Sequence, residues 1–149
     1  MDIQYFDALS DLEVQQLAQA PAQIAVLIAG ADDNIDKSET GWATKLVNYR
    51  TFTSDPRLHE YYELVSAAFE PVLNSLVESW QPESTEKELS AALDGLNTVL
   101  GKLDADYADL LKDSWRSLAK EVAQASGGIF GMGSVGREEA KLIDLPMIK

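Results

Sequence analysis

Between Leu58 and Trp80 apolar residues recur at spacings of three and four: Leu58, Tyr61 or Tyr62, Val65, Phe69, Val72 or Leu73, Leu76 and Trp80. On a helix of 3.6 residues per turn that spacing lays them along one face, whereas a strand needs apolar and polar residues to alternate. Asp55-Pro56 reads as an N-cap followed by the first helical residue. Pro71 lies inside the stripe, and its missing N–H predicts a kink or a division of the helix there.

The same reading extends along the chain. Ser10-Asp11-Leu12-Glu13 has the spacing of a capping box and starts a helix whose apolar side is Leu12, Val14, Leu17 and Ala18. Pro21 begins or kinks the next segment, and residues 22–31 are apolar nearly all round, the mark of a buried helix. Asp36-Lys37-Ser38-Glu39 repeats the capping-box spacing before Trp42, Ala43, Leu46 and Val47. Thr85-Glu86-Lys87-Glu88 opens a helix with Leu89, Leu93, Leu96, Leu100 and Leu103 inward, and Asp104 or Asp106 opens another. The stripe of that one is Tyr107, Leu111, Ser114 or Trp115, Leu118, Val122 and Ala125, with Gly127-Gly128 as its expected stop. A last short helix is expected over 137–145, halted by Pro146. No segment alternates with period two, so the expected fold is all-α: one domain over 1–149, a compact antiparallel bundle of about six or seven helices.

Composition narrows the function. There are no cysteines, which excludes disulfides, thiolate metal sites and cysteine nucleophiles. The formal charge of −13 repels nucleic acid and anionic membranes, leaving cations and basic protein surfaces as partners. The first residues lack the pattern of a signal peptide, and no apolar run approaches the ~20 residues that span a bilayer. The expectation is a cytoplasmic protein with no direct membrane insertion.

The candidate site is a pair of acidic stretches. Ile24 to Ala29 runs into Asp32, Asp33, Asn34, Asp36, Ser38 and Glu39, oxygen ligands of the kind Ca²⁺ and other hard divalent cations select. From Asp32 onward the stretch is similar to the second half of an EF-hand loop, with Ile35 four places before Glu39, but Ile28 and Gly30 stand where the first carboxylates would fall. A looser copy follows residues 118–125, with Val135 four places before Glu139 and Glu138 beside it. Helix capping by Asp36 and Glu39 and a turn at 32–34 is the competing structural reading.

Other motifs carry less. Gly131-Met132-Gly133-Ser134-Val135-Gly136 matches the dinucleotide pattern but follows a helix where a strand is required. His59 is the sole histidine, which leaves triads and histidine metal pairs short of parts, and no Glu-x-x-His pair supports a di-iron bundle. Glu83 with Glu86, and Asp104 with Asp106, read as solvated carboxylates, and Trp42, Trp80 and Trp115 as core.

Ala31-Asp32-Asp33, Ile35 and Glu39 after a buried helix, together with residues 122–128 before Glu138-Glu139, resemble the TerB-like family associated with bacterial tellurite resistance. The resemblance spans about 10–145. It implies an all-helical fold with a weak internal pseudo-two-fold repeat, and acidic loops suspected of binding divalent metal. It also implies a stress-response or membrane-associated complex as context. Asp32, Asp36, Glu39, Glu138 and Glu139 match the family's acidic positions, while Asp33 departs from its usual glycine. The leading expectation is a non-enzymatic stress-response module that binds a divalent cation through Asp32, Asp33, Asp36, Glu39, Glu138 and Glu139 and docks a protein partner. A metal-independent acidic adaptor is the alternative, and a metal-dependent carboxylate enzyme the third.

Overall fold

The computed structural model describes residues 4–29, 44–45, 47–49, 55–79, 81, 84–129 and 145–149. Four long helices account for most of them: α1 (Asp11–Ala29), α2 (His59–Glu78), α3 (Ser84–Leu100) and α4 (Ala105–Ile129). Residues 44–45 and 47–49 are also helical, single 3₁₀ turns occupy Gln4–Phe6 and Pro56–Leu58, and no strand occurs among the described residues. The fold is therefore all-α. The expected internal repeat and last short helix fall mainly on residues outside those described; at its far end Leu145 is not helical.

Helix starts follow local chemistry. The Ser10 amide donates to Glu13 Oε1 at 2.9 Å while the Glu13 amide donates to Ser10 Oγ at 3.2 Å, the reciprocal exchange of a capping box. Asp55 Oδ1 accepts from the Arg57 amide at 2.9 Å with Pro56 next in the chain, and Asp104 Oδ2 accepts from the Tyr107 amide at 3.2 Å. The Gln81 amide donates to Thr85 Oγ1 at 2.8 Å as the Thr85 amide donates to the Gln81 carbonyl, which locks the approach to α3.

Neither proline divides its helix. A proline leaves the carbonyl four residues earlier without its intrahelical donor, so continuity requires a substitute. For Pro21 that carbonyl belongs to Leu17, and the buried Tyr61 phenol donates to it at 2.7 Å. Tyr61 Oη in turn accepts from Trp115 Nε1 at 3.0 Å, so one relay ties α4 through α2 to the proline turn of α1. For Pro71 the carbonyl belongs to Ala67, and both residues are exposed, so no buried donor is required there. Gly127-Gly128 do not end α4 either, since the helix continues to Ile129. Two glycines cost a packed helix about 2 kcal/mol in propensity, less than its buried stripe contributes.

Helix α1 lies at the centre and packs on α2, α3 and α4. Ile24, Ala25, Val26, Leu27 and Ile28 are all buried, which requires neighbours on every side of the helix. Both Tyr61 and Tyr62 turn inward with Val65, Phe69 and Leu73, and Leu89, Leu93, Leu96, Leu100 and Leu103 form the inner face of α3 and its C-terminal turn. Tyr107, Leu111, Trp115, Leu118 and Val122 complete the core from α4. Leu12, expected on the apolar side of α1, is instead 64% exposed, on the outer side of the helix with Gln16 and Gln19, while Val14 packs on the core.

Candidate functional site

Asp32 stands three residues beyond the C-terminal end of α1 and Glu138 nine residues beyond that of α4, so the relative direction of these helices bears on whether the acidic stretches can cooperate. Tyr5 stacks on Tyr107 with ring centroids 4.1 Å apart, Phe6 meets Tyr107 edge-on, and Lys102 Nζ lies 2.6 Å from Glu13 Oε2. These contacts join the N-terminal approach of α1 to that of α4. Further along, the relay from Trp115 through Tyr61 to Leu17 joins their middles. The two helices therefore run side by side in the same direction, a departure from a strictly antiparallel bundle. Short connections reverse the chain twice between α2 and α4, so α3 runs against α4, and its C-terminal turn faces Glu13 through Lys102. At 1.5 Å per residue, Ala29 lies ~18 Å beyond Leu17 and Ile129 lies ~21 Å beyond Trp115. Both helices thus end at one pole of the bundle.

The residues expected to bind a cation, Asp32, Asp33, Asp36, Glu39, Glu138 and Glu139, lie outside the described residues. So do Trp42, Trp80, Glu83 and the glycine-rich stretch 131–136. Among the described residues no group of three or more histidine, cysteine, aspartate or glutamate side chains could hold a metal ion. Asp104 and Asp106 are exposed, the former occupied as a cap, and His59 is half-buried as the first residue of α2. Trp115 is fully buried in the core, as its place on the stripe predicts.

Electrostatics at the described polar groups is structural. The Lys102 ammonium, hydrogen-bonded to Glu13, holds that carboxyl below the usual carboxylate range, and Arg57 does the same to Asp55. Burial, reinforced by the neighbouring Tyr62, pushes the Tyr61 phenol well above its ordinary range, which keeps it a neutral donor for Leu17. Tyr107 is pushed up by burial too, but its hydroxyl has no hydrogen-bond partner among the described residues. Tyr107→Phe removes an unpaired buried dipole while keeping the ring stacked on Tyr5, and is expected to raise the unfolding free energy by about 1 kcal/mol in urea titration. A loss of stability of that size would show that the hydroxyl is partnered in solution.

Concavities lie on the described surface. One of about 300 Å³ between α3 and α4 has Leu100, Leu103 and Ala108 in its wall and Asn97, Lys112 and Lys149 at its polar side. Two others, of about 400 and 340 Å³, flank the exposed Gln19 and the half-buried Gln23 of α1. No pair of carboxylates faces either wall of these two. The chain matches no protein-family model, no curated protein and no solved structure.

One polar arrangement was not foreseen from the sequence. Asn97 on α3 donates from Nδ2 to the Met147 carbonyl at 2.8 Å and accepts at Oδ1 from the Lys149 amide at 2.8 Å. Arg116 on α4 donates to the Ile148 carbonyl at 2.9 Å. Together they hold Leu145–Lys149 across α3 and α4 with Leu145 and Ile148 buried. Helical periodicity carries no signal for such a pairing, because Asn97 is read only as a polar residue beside Leu96.

Proposed function

We propose that the protein is a non-enzymatic stress-response module of TerB-like type, which binds a divalent cation through Asp32, Asp33, Asp36, Glu39, Glu138 and Glu139 and docks a protein partner. The observation that supports this reading is the common direction of α1 and α4. Asp32 and Glu138, about a hundred residues apart in the chain, come three and nine residues after helices that end at the same pole. The donor set is all oxygen, which suits Ca²⁺ or Mg²⁺ and not a soft metal. A bound cation would also offset part of a formal charge of −13, and binding to the folded form raises stability by mass action. The expected result is a saturable calcium heat by calorimetry for the wild-type chain, lost in the Asp32→Ala, Glu39→Ala double variant. Equal heats from the two proteins would remove the site.

The charge itself favours a second reading, a metal-independent acidic adaptor for a basic protein surface or a membrane-associated complex. Its complexes would weaken steeply as salt is raised and ignore chelator, whereas cation-dependent docking would be abolished by chelator at constant ionic strength.

A further inference from the structure

The outward side of α1 beyond its first turn carries no charge. From Gln15 to Ile28 every residue is buried except Gln15, Gln16, Gln19 and Gln23. Gln16, Gln19 and Gln23, spaced by three and four, form one ridge, flanked by the concavities of about 400 and 340 Å³. Towards α3 the far wall holds Ala91, Ala92 and Gly95, and a Cβ built on Gly95 would meet nothing within 4 Å. Towards α2 it holds Pro71, Val72 and Ser75. No charged side chain lines either concavity, although 25% of the chain is charged. Depletion of charge marks the centre of a protein interface off from ordinary surface.

Charge returns at the rim, and it is mostly of one sign. Glu70 and Asp94 are exposed next to Pro71 and Gly95, while Glu78 and Glu88 are exposed one helical turn from Ser75 and Ala91. Against them stands Lys87, also one turn from Ala91. A second copy would bring carboxylates against carboxylates, with a formal charge of −13 on each molecule. A partner with basic residues beside an uncharged strip complements both the band and its rim. We propose, on the basis of the partner docking common to both functional readings, that this band binds an amphipathic basic helix of another protein. Its small uncharged face lies in the groove between α1 and α3, and its flanking lysines or arginines meet the rim carboxylates. The glutamine carboxamides offer that helix donors and acceptors without a charge to desolvate.

The probe is a synthetic helix of about 20 residues with alanine and serine on one face and lysine on both flanks, beside a counterpart with glutamate for lysine. Fluorescence anisotropy with the full chain is expected to show saturable binding of the lysine helix and none of the glutamate helix. Gly95→Phe fills the groove without changing charge, and the open space at that position lets the fold stand, as circular dichroism checks. It is expected to weaken binding about tenfold. Glu88→Gln is expected to weaken it about threefold, whereas Asp113→Asn, which removes the same charge from α4 outside both concavities, leaves it unchanged. Titrations in calcium and in chelator keep the two questions apart: loss on chelation bears on the cation site, and loss with Gly95→Phe bears on the band. No binding of the lysine helix in either condition, equal binding of both helices, or undiminished binding by folded Gly95→Phe would overturn the proposal. So would a wild-type dimer in sedimentation equilibrium that Gly95→Phe dissolves, since a second copy would then be the occupant.

Discussion

Tyr61→Phe is expected to lower the unfolding free energy by about 3 kcal/mol, although it deletes one oxygen and leaves the ring in place. Two buried partners lose their bond at once: the Leu17 carbonyl, which Pro21 cannot satisfy, and Trp115 Nε1–H. The cause is separable by a double-mutant cycle. Pro21→Ala restores an N–H four residues after Leu17, which competes for the same carbonyl. In that background the loss from Tyr61→Phe is expected to shrink by about 1 kcal/mol. Strict additivity in urea titrations would show that the phenol does not replace the missing amide. The alkaline limb gives a second reading. A phenol whose folded pKa is raised contributes stability that is complete below its unfolded value of 10.0 and is lost as pH rises beyond it. Tyr61→Phe is therefore expected to flatten the decline in stability above pH 10.0.

Trp115→Ala is expected to cost more, about 4 kcal/mol, because it empties a fully buried indole site as well as breaking the relay. For a domain of this size that is a fall in melting temperature of roughly 12 °C, measured by calorimetry or circular dichroism. Trp115→Phe keeps most of the packing and loses the N–H, so it is expected to fall between the wild type and Trp115→Ala. If Phe cost as much as Ala, hydrogen bonding and not volume would dominate at this position.

How much of this could be read in advance depended on the range of the interaction. Capping at Ser10, Asp55 and Asp104 was legible because each cap and its amide lie within three residues. The inward stripes were legible because periodicity is local, and they placed Trp115, one of Tyr61 and Tyr62, and the α3 leucines in the core, where both tyrosines in fact lie. Pro21 was read as beginning or kinking a new segment; that α1 runs on through it could not be foreseen, because the compensating donor is 44 residues away on another helix. Gly127-Gly128 were read as the stop, and α4 ends one residue beyond them, at Ile129. For the candidate site, composition identified the acidic stretches, whereas the common direction of α1 and α4 follows from long-range pairings such as Glu13 with Lys102, which no spacing rule contains. The groove around Asn97 was invisible for the same reason.

The burial of the Ile24–Ile28 part of α1 on all sides limits the order in which the molecule can form. Its Ile24–Ile28 segment emerges from synthesis long before Trp115 and Val122, which help to enclose it, so a nascent chain carries a sticky, half-sheltered rod until α4 has been made. The last long helix is thus a closing wall, and a ribosome stalled before it would release a species prone to clumping and chaperone capture.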